Sequence, residues 1–255
     1  MNRTERLDLA KPRGIGDLLG DALGIYFRNF PTVFAIALAV VVPVQLIVSG
    51  IGLEELTSSY RETDSAVELL IPTVVSYLVV APLMIAATIH VLQRLAEGER
   101  PHAGRSIQAG LDVFAPAFLA VLLAGVGIAL GLVLLILPGI YVAVRLYFVA
   151  QAVVIDKARS TEALRASWRL TDGFWFRTFG VILLANVVAF LPASILILPL
   201  QALAESADRQ AISLAGMILT EALTAPFVAL VSTLLFYDIR ARRTASDENQ
   251  TSLPI

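Results

Sequence analysis

Residues 115–155 read APAFLAVLLAGVGIALGLVLLILPGIYVAVRLYFVAQAVVI, a long apolar run whose one charged side chain is Arg145. A helix needs about 20 residues to cross a bilayer, because each residue advances about 1.5 Å through a hydrocarbon core of about 30 Å. The run is too long for one span, and Pro138-Gly139 offers a turn. We therefore expect a tight hairpin of two spans, at 115–136 and 140–155. One span followed by a buried or re-entrant segment is the alternative, since Arg145 weakens the second half.

The whole chain shares this apolar character. Of its 255 residues, 57% are hydrophobic and 16% are charged, against about 45–50% and about 25% in soluble proteins. The sequence predicts an all-α integral membrane bundle of about six transmembrane helices. Residues 1–29 are expected to form a cytoplasmic segment with an amphipathic helix, 30–243 the membrane domain, and 244–255 a disordered cytoplasmic tail. The remaining spans are expected at 30–52, 67–92, 179–200 and 212–236.

Composition also limits the chemistry. The absence of cysteine excludes a disulfide framework and thiolate metal sites. Two histidines make a histidine metal site improbable, and a net charge of −2 argues against nucleic-acid binding. No nucleotide-binding or hydrolase motif occurs, and no segment outside the spans is long enough for a catalytic domain. We therefore expect a protein that is not an enzyme and has no cofactor. Its expected partners are the lipid bilayer and a membrane protein or lipid.

Basic residues indicate the orientation. Sixteen of the 19 lysines and arginines fall on one side of the predicted spans, in the N-terminal segment, the second-to-third loop, the fourth-to-fifth loop and the C-terminal tail. The positive-inside rule then places both termini in the cytoplasm.

A short internal match suggests a repeated unit. GIYFRNF at 24–30 and GFWFRTF at 173–179 share four of seven residues, and each follows a segment with helical amphipathic spacing. A weaker amphipathic segment occurs at 105–114. We expect two or three amphipathic helices lying in the plane of the cytoplasmic surface, each followed by two spans. The expected interfacial anchors are Tyr26, Phe27, Arg28, Trp168, Trp175 and Arg177.

Ionisable groups within spans are costly and are therefore functional candidates. Arg145 and Glu221 lie at similar depths in the fourth and sixth predicted spans, so we expect a buried Arg145–Glu221 pair. A structural clamp is the alternative to a transport role. Weaker candidates are interhelical hydrogen bonds from Gln45, Gln151 and Asn186. Prolines within the spans predict kinks, which can mark a gate or cavity.

Several short motifs, in order, resemble a known family. Ile15-Gly-Asp-Leu-Leu and the residues up to Phe30, the hairpin segment LPGIYVAVRL at 137–146, ALRASWRL at 163–170 and YDIR at 237–240 are similar to the glycerophosphoryl diester phosphodiesterase membrane domain. The resemblance implies a bacterial plasma-membrane protein. The catalytic barrel found beside that domain has no counterpart here, so the resemblance does not imply phosphodiesterase activity.

Two functions follow as expectations. The first is a non-catalytic scaffold or accessory to another membrane component, which should be a tightly packed bundle. The alternative is a small-molecule or lipid transporter using an Arg145/Glu221 layer, which should contain a polar cavity within the membrane. An intramembrane phosphodiesterase would need convergent acid, base and metal ligands, which the sequence does not supply.

Overall fold

The computed structural model describes residues 7–48, 59–60, 70 and 73–251. These residues form helices and connecting turns, and none of them lies in a strand. The helices are α1 (Ile15–Arg28), α2 (Phe30–Val48), α3 (Thr73–Ala96, with a π-helical turn at Ser76–Val80), α4 (Ala103–Asp112), α5 (Phe114–Leu134), α6 (Ile136–Arg145), α7 (Val149–Asp156), α8 (Ser160–Leu170), α9 (Trp175–Ser206) and α10 (Gln210–Thr251).

Six of these segments are long and apolar enough to cross a membrane: α2, α3, α5, the combined α6–α7 segment Ile136–Asp156, α9 and the Gln210–Ser246 part of α10. This confirms the predicted all-α bundle with six candidate spans.

A short helix followed by two spans occurs three times in the described residues, beginning at α1, α4 and α8. The matched heptapeptides are not in equivalent positions, however. Gly24 lies inside α1, whereas Gly173 occupies the turn before α9 with φ +73°.

The central hairpin turns earlier than expected. The chain reverses at Leu135, whose backbone is extended, and not at Pro138-Gly139. Pro138 lies in the first turn of α6, where its missing N–H leaves no helical hydrogen bond unmade. A Cβ on Gly139 would lie 2.4 Å from Leu132 Cδ2 and 2.7 Å from the Leu132 backbone nitrogen. The glycine therefore permits α6 to approach α5 closely.

The short helix α1 packs lengthwise against α10. The Arg13 N–H, just before α1, donates to Asp238 Oδ1 at 2.6 Å, and the Tyr26 hydroxyl donates to the Leu223 carbonyl at 3.0 Å. Residues 223 and 238 are separated by about 22 Å along an α-helix. These two contacts align α1 antiparallel to α10 over most of its length. It therefore lies beside the last span, and not across its end as an in-plane helix would.

The fourth span is interrupted without a proline. Helix α6 ends at Arg145 and α7 begins at Val149, so backbone groups between them lose their helical partners. The Ser167 hydroxyl of α8 donates to the Arg145 carbonyl at 2.8 Å and accepts the Phe148 N–H at 3.1 Å. Ser167 is fully buried. Helix α8 thus stabilises the interruption by replacing two of the missing hydrogen bonds.

Charged residues converge where the two ends of the described chain meet; we call this the basic end. Asp238 is 0% exposed. Its carboxylate accepts from Arg177 Nε at 2.9 Å, from Arg242 Nε at 3.1 Å and from the Arg13 backbone at 2.6 Å. Arg240 pairs with Asp156 at 2.6 Å nearby. Asp238 therefore ties together the segment before α1, the start of α9 and the end of α10.

The expectation of a disordered tail from residue 244 is wrong, because α10 continues to Thr251. Side chains in this part still bond to the helix backbone, with Thr244 donating to the Arg240 carbonyl at 3.2 Å and Ser246 to the Arg242 carbonyl at 2.9 Å. No glycine or proline occurs between residues 227 and 253, so nothing local interrupts the helix. Residues 252–255 lie outside the described part.

Candidate functional site

The structure does not bring Arg145 and Glu221 together. Arg145 Nη2 instead pairs with Asp172 Oδ1 at 2.9 Å, and Arg145 Nε donates to the Tyr141 hydroxyl at 2.9 Å. Its guanidinium also lies 5.1 Å from the centre of the Trp168 ring. The predicted pair is wrong because helix α8 folds against the interruption after Arg145, which brings Asp172 within reach. The sequence-based estimate of depth in the membrane assumed that the fourth span is one continuous helix and that α8 lies away from it.

The predicted interfacial anchors divide into three groups. Tyr26 is a core residue, 6% exposed, so its expected interfacial position is wrong. Burial raises the pKa of the Tyr26 hydroxyl to about 12, so it stays protonated and donates to Leu223. Arg177 is held by Asp238 and is only 19% exposed, so it is part of the ion network. The others keep some or most of their surface open: Phe27, Arg28, Trp168 and Trp175.

Glu221 lies about 25 Å along α10 from Asp238 and is held by two side chains from other spans. Gln45 of α2 donates from Nε2 to Glu221 Oε2, and Ser76 of α3 donates from its hydroxyl to Glu221 Oε1. No lysine, arginine or histidine among the described residues forms an ion pair with Glu221. The carboxylate thus joins three helices through hydrogen bonds alone.

A proline explains why Ser76 reaches this position. Pro82 has no N–H to donate, so a regular helical hydrogen-bond pattern cannot pass through it. The preceding turn widens to a π-helix over Ser76–Val80, and the Ala81 N–H donates to the Ser76 carbonyl five residues back. Such one-turn π-helices occur often at functional sites. The widened turn directs Ser76 and Tyr77 toward the space beside Glu221, which both residues line.

A cavity of about 780 Å³ opens beside these residues. Its walls come from α2, α3, α5, the α6–α7 segment, α9 and α10. Most of the lining is alanine, valine, isoleucine and methionine. The polar and aromatic residues that line it are Gln45, Thr73, Ser76, Tyr77, Tyr147, Asn186, Phe190, Gln201, Thr220, Glu221, Thr224 and Ser232.

Helix irregularities cluster around this cavity. Pro43 lies two residues before Gln45 in α2, and Pro226 lies five residues after Glu221 in α10. Pro192 and Pro199 flank the part of α9 that contributes Ala193 and Ile197 to the wall. These prolines therefore lie in helices that line the cavity, and the predicted association of span prolines with a gate or cavity stays a prediction. A proline removes one helical hydrogen bond and can bend a helix, and a bent helix leaves room between spans that straight helices would close.

The lining has one carboxyl group. Glu221 is the sole acidic residue among the described residues that line the cavity, and that lining contains no lysine, arginine or histidine. The described residues also hold no group of three or more histidine, aspartate or glutamate side chains placed to bind a metal ion. The cavity therefore offers one carboxylate, several hydroxyl and amide groups, and a large apolar surface.

Sequence reasoning identified Glu221, Gln45 and Asn186 but missed the rest of the polar lining. Gln151 forms the expected interhelical bond, from Nε2 to Ser232 Oγ at 3.1 Å. Asn186 does not, because its Nδ2 donates to the Ile182 carbonyl of its own helix at 2.8 Å. Ser76 and Tyr77 carried a usable signal, since a proline at 82 disturbs the turn that precedes it. Nothing local pointed to Tyr147.

The fold and the cavity define a multi-pass α-helical membrane protein with one acidic residue lining a cavity between its candidate spans. Within that class, the model of the family described as a domain of unknown function, DUF7847, matches residues 104–239, more than half of the chain. The chain belongs to this family. The matched region runs from α4 to α10 and includes Glu221. No curated protein and no solved structure matches the chain.

Proposed function

We propose that this protein is a small-molecule or lipid permease whose ligand occupies the cavity around Glu221. The observation that supports this proposal most is the cavity itself, about 780 Å³ within the six candidate spans. Ligand pockets commonly measure about 300–1,000 Å³, with mostly apolar walls and a few convergent polar groups. The described residues leave this space unfilled, and a scaffold with no ligand would gain packing energy from side chains that fill it.

The prolines and the π-helical turn in the surrounding helices support movement of those helices. Proline and π-helical turns weaken the backbone hydrogen bonding of four walls of the cavity, α2, α3, α9 and α10. Transporter sites commonly lie at mid-membrane beside interrupted helices. The chain would open the cavity to one side and then the other by bending at these positions. It carries out no covalent chemistry in this proposal.

The proposal includes a location. By the positive-inside rule, the basic end faces the cytoplasm of a bacterium and the protein is held in the plasma membrane. A shared side for the segment before α1 and the C-terminal part of α10 supports this location, because the Arg13 backbone N–H donates to the Asp238 carboxylate. The resemblance to the glycerophosphoryl diester phosphodiesterase membrane domain stays a prediction and contributes only the bacterial origin.

The test is recovery of the ligand with the protein. The full chain is purified from native membranes, and bound molecules are identified by native mass spectrometry followed by extraction. The Ala193→Phe variant places a phenyl ring in the cavity wall, and the Ala202→Phe variant places one on the exposed surface of the same helix.

A molecule retained by the wild type and by Ala202→Phe but lost from Ala193→Phe would support the proposal. Equal retention by all three folded proteins would contradict it, since the retained molecule would then lie outside the cavity. The scaffold alternative predicts instead that a stoichiometric protein partner is recovered and that Ala193→Phe keeps it.

A further inference from the structure

We propose that the ligand of this cavity is an amphipathic cation, with its charged group beside Glu221 and its apolar part against the alanine and valine walls. This inference rests on the proposed ligand site and specifies the chemical class that the site accepts.

The charge of the lining favours a cationic ligand. The described lining contains one carboxylate and no basic side chain. A charge in a poorly solvated space interacts strongly with a second charge, so an anionic ligand would be repelled and a cationic one attracted. Gln45 and Ser76 each donate one hydrogen bond to the Glu221 carboxylate. A carboxylate can accept about four such bonds, so Glu221 can also accept from a ligand ammonium or guanidinium group.

Aromatic rings in the lining also favour a cationic ligand. Tyr77, Tyr147 and Phe190 line the same cavity, from α3, the interruption after α6, and α9. Aromatic faces attract cations through the ring quadrupole, and clusters of such rings recognise quaternary ammonium groups in other proteins. A carboxylate combined with three aromatic rings therefore suits a large, weakly hydrated cation better than a small metal ion, which needs several oxygen ligands.

The apolar lining favours a ligand with a large apolar part. Small side chains from several helices form most of the wall, including Ala124, Ala150, Ala189, Ala225 and Ala229. These surfaces stabilise an apolar ligand by roughly 25 cal/mol per Å² removed from water. A small polar cation would leave them uncovered, whereas an amphipathic cation would use both kinds of surface.

The test compares two hydrophobic ions of nearly the same shape and opposite charge, tetraphenylphosphonium and tetraphenylborate. Binding to the purified full chain is measured by equilibrium dialysis, with binding to protein-free micelles subtracted. The wild type should bind the phosphonium ion at least tenfold more tightly than the borate. Glu221→Gln should reduce phosphonium binding at least tenfold, and Glu205→Gln, which removes an exposed acid of α9, should not.

Equal binding of the two ions by the wild type, or tighter binding of the borate, would overturn the cation inference, and this comparison needs no variant to fold. If both ions bound equally well and Ala193→Phe abolished the binding of both, the cavity would still be a ligand site, but it would not prefer cations. If Ala193→Phe reduced the binding of neither ion, the ions would not bind in the cavity, and the cation inference would also be overturned. The proposed function would then be judged separately by the molecule recovered from native membranes.

Discussion

Replacing Asp238 with asparagine should lower stability more than any other single change of charge at the basic end. The substitution keeps the shape of the side chain but removes a negative charge that is 0% exposed and contacts two arginines. Removing one partner of a fully buried ion pair costs about 3–5 kcal/mol. Arg177 and Arg242 keep 19% and 32% exposure, so they can partly turn toward water, and we expect about 2–3 kcal/mol.

This loss corresponds to a fall in Tm of roughly 4–12 °C for a chain of this size. The measurement is thermal unfolding of the purified protein in detergent, followed by the fluorescence of Trp168 and Trp175. The matched control is Asp172→Asn, which also removes a carboxylate that pairs with an arginine, but Asp172 is 69% exposed. Its partner Arg145 is 11% exposed but keeps hydrogen bonds to the Tyr141 hydroxyl and the Trp168 carbonyl. Because water screens the exposed carboxylate, we expect a loss of about 1 kcal/mol. If Asp238→Asn lowered Tm no more than Asp172→Asn does, the account of the basic end would be refuted.

Four further substitutions, one of them a control, test other parts of the fold. Ser167→Ala should lower the free energy of unfolding by about 1–3 kcal/mol, because it leaves buried backbone groups at the interruption unpaired; denaturant titration measures this, and a loss near zero would contradict the role of α8. Gly139→Ala should cost about 1–3 kcal/mol through overpacking in the hairpin. The control Gly20→Ala, at an open position inside α1, should be neutral or stabilising by up to about 1 kcal/mol. If Gly139→Ala and Gly20→Ala had equal effects on stability, the close approach of α6 to α5 at Gly139 would be refuted. Tyr26→Phe should cost about 1 kcal/mol. Burial raises the pKa of the Tyr26 hydroxyl from 10.0 to about 12. The protonated Tyr26 therefore contributes its full stability below pH 10, and this contribution is lost as the pH rises to about 12. The Tyr26→Phe variant should not show this loss of stability between pH 10 and 12.

Much of the fold could be predicted from sequence because length and hydropathy are strong constraints in a bilayer. The apolar run at 115–155 predicted a hairpin, and α5 and α6 form one. Its turn was misplaced because Pro138 was interpreted as ending a helix, although proline also suits a first turn. The in-plane orientation expected for α1 could not be derived from its amphipathic pattern, since an apolar stripe fits a neighbouring helix as well as a membrane surface.

The candidate site could be predicted only in part. Glu221 stood out because carboxylates within spans are rare and costly. Its partners were misidentified because opposite charge and similar depth do not determine which helices are neighbours. Gln45 and Ser76 lie 176 and 145 residues away in the chain, and only the packing of α2 and α3 against α10 brings them to Glu221. Asp172 was overlooked as a partner for Arg145 because α8 was expected to lie at the surface, away from the fourth span.

Cysteine labelling tests most directly whether a ligand binds beside Glu221, because the chain contains no cysteine. A Thr224→Cys variant places a thiol in the cavity wall near Glu221, and a Leu219→Cys variant places one on α10 outside the described lining. Both are labelled in membranes with a methanethiosulfonate carrying an ammonium group, with and without tetraphenylphosphonium. The account predicts labelling at position 224 that the phosphonium slows at least tenfold, and little labelling at position 219, where the thiol faces lipid. No labelling at position 224, or labelling there that the phosphonium leaves unchanged, would contradict a ligand-binding cavity around Glu221.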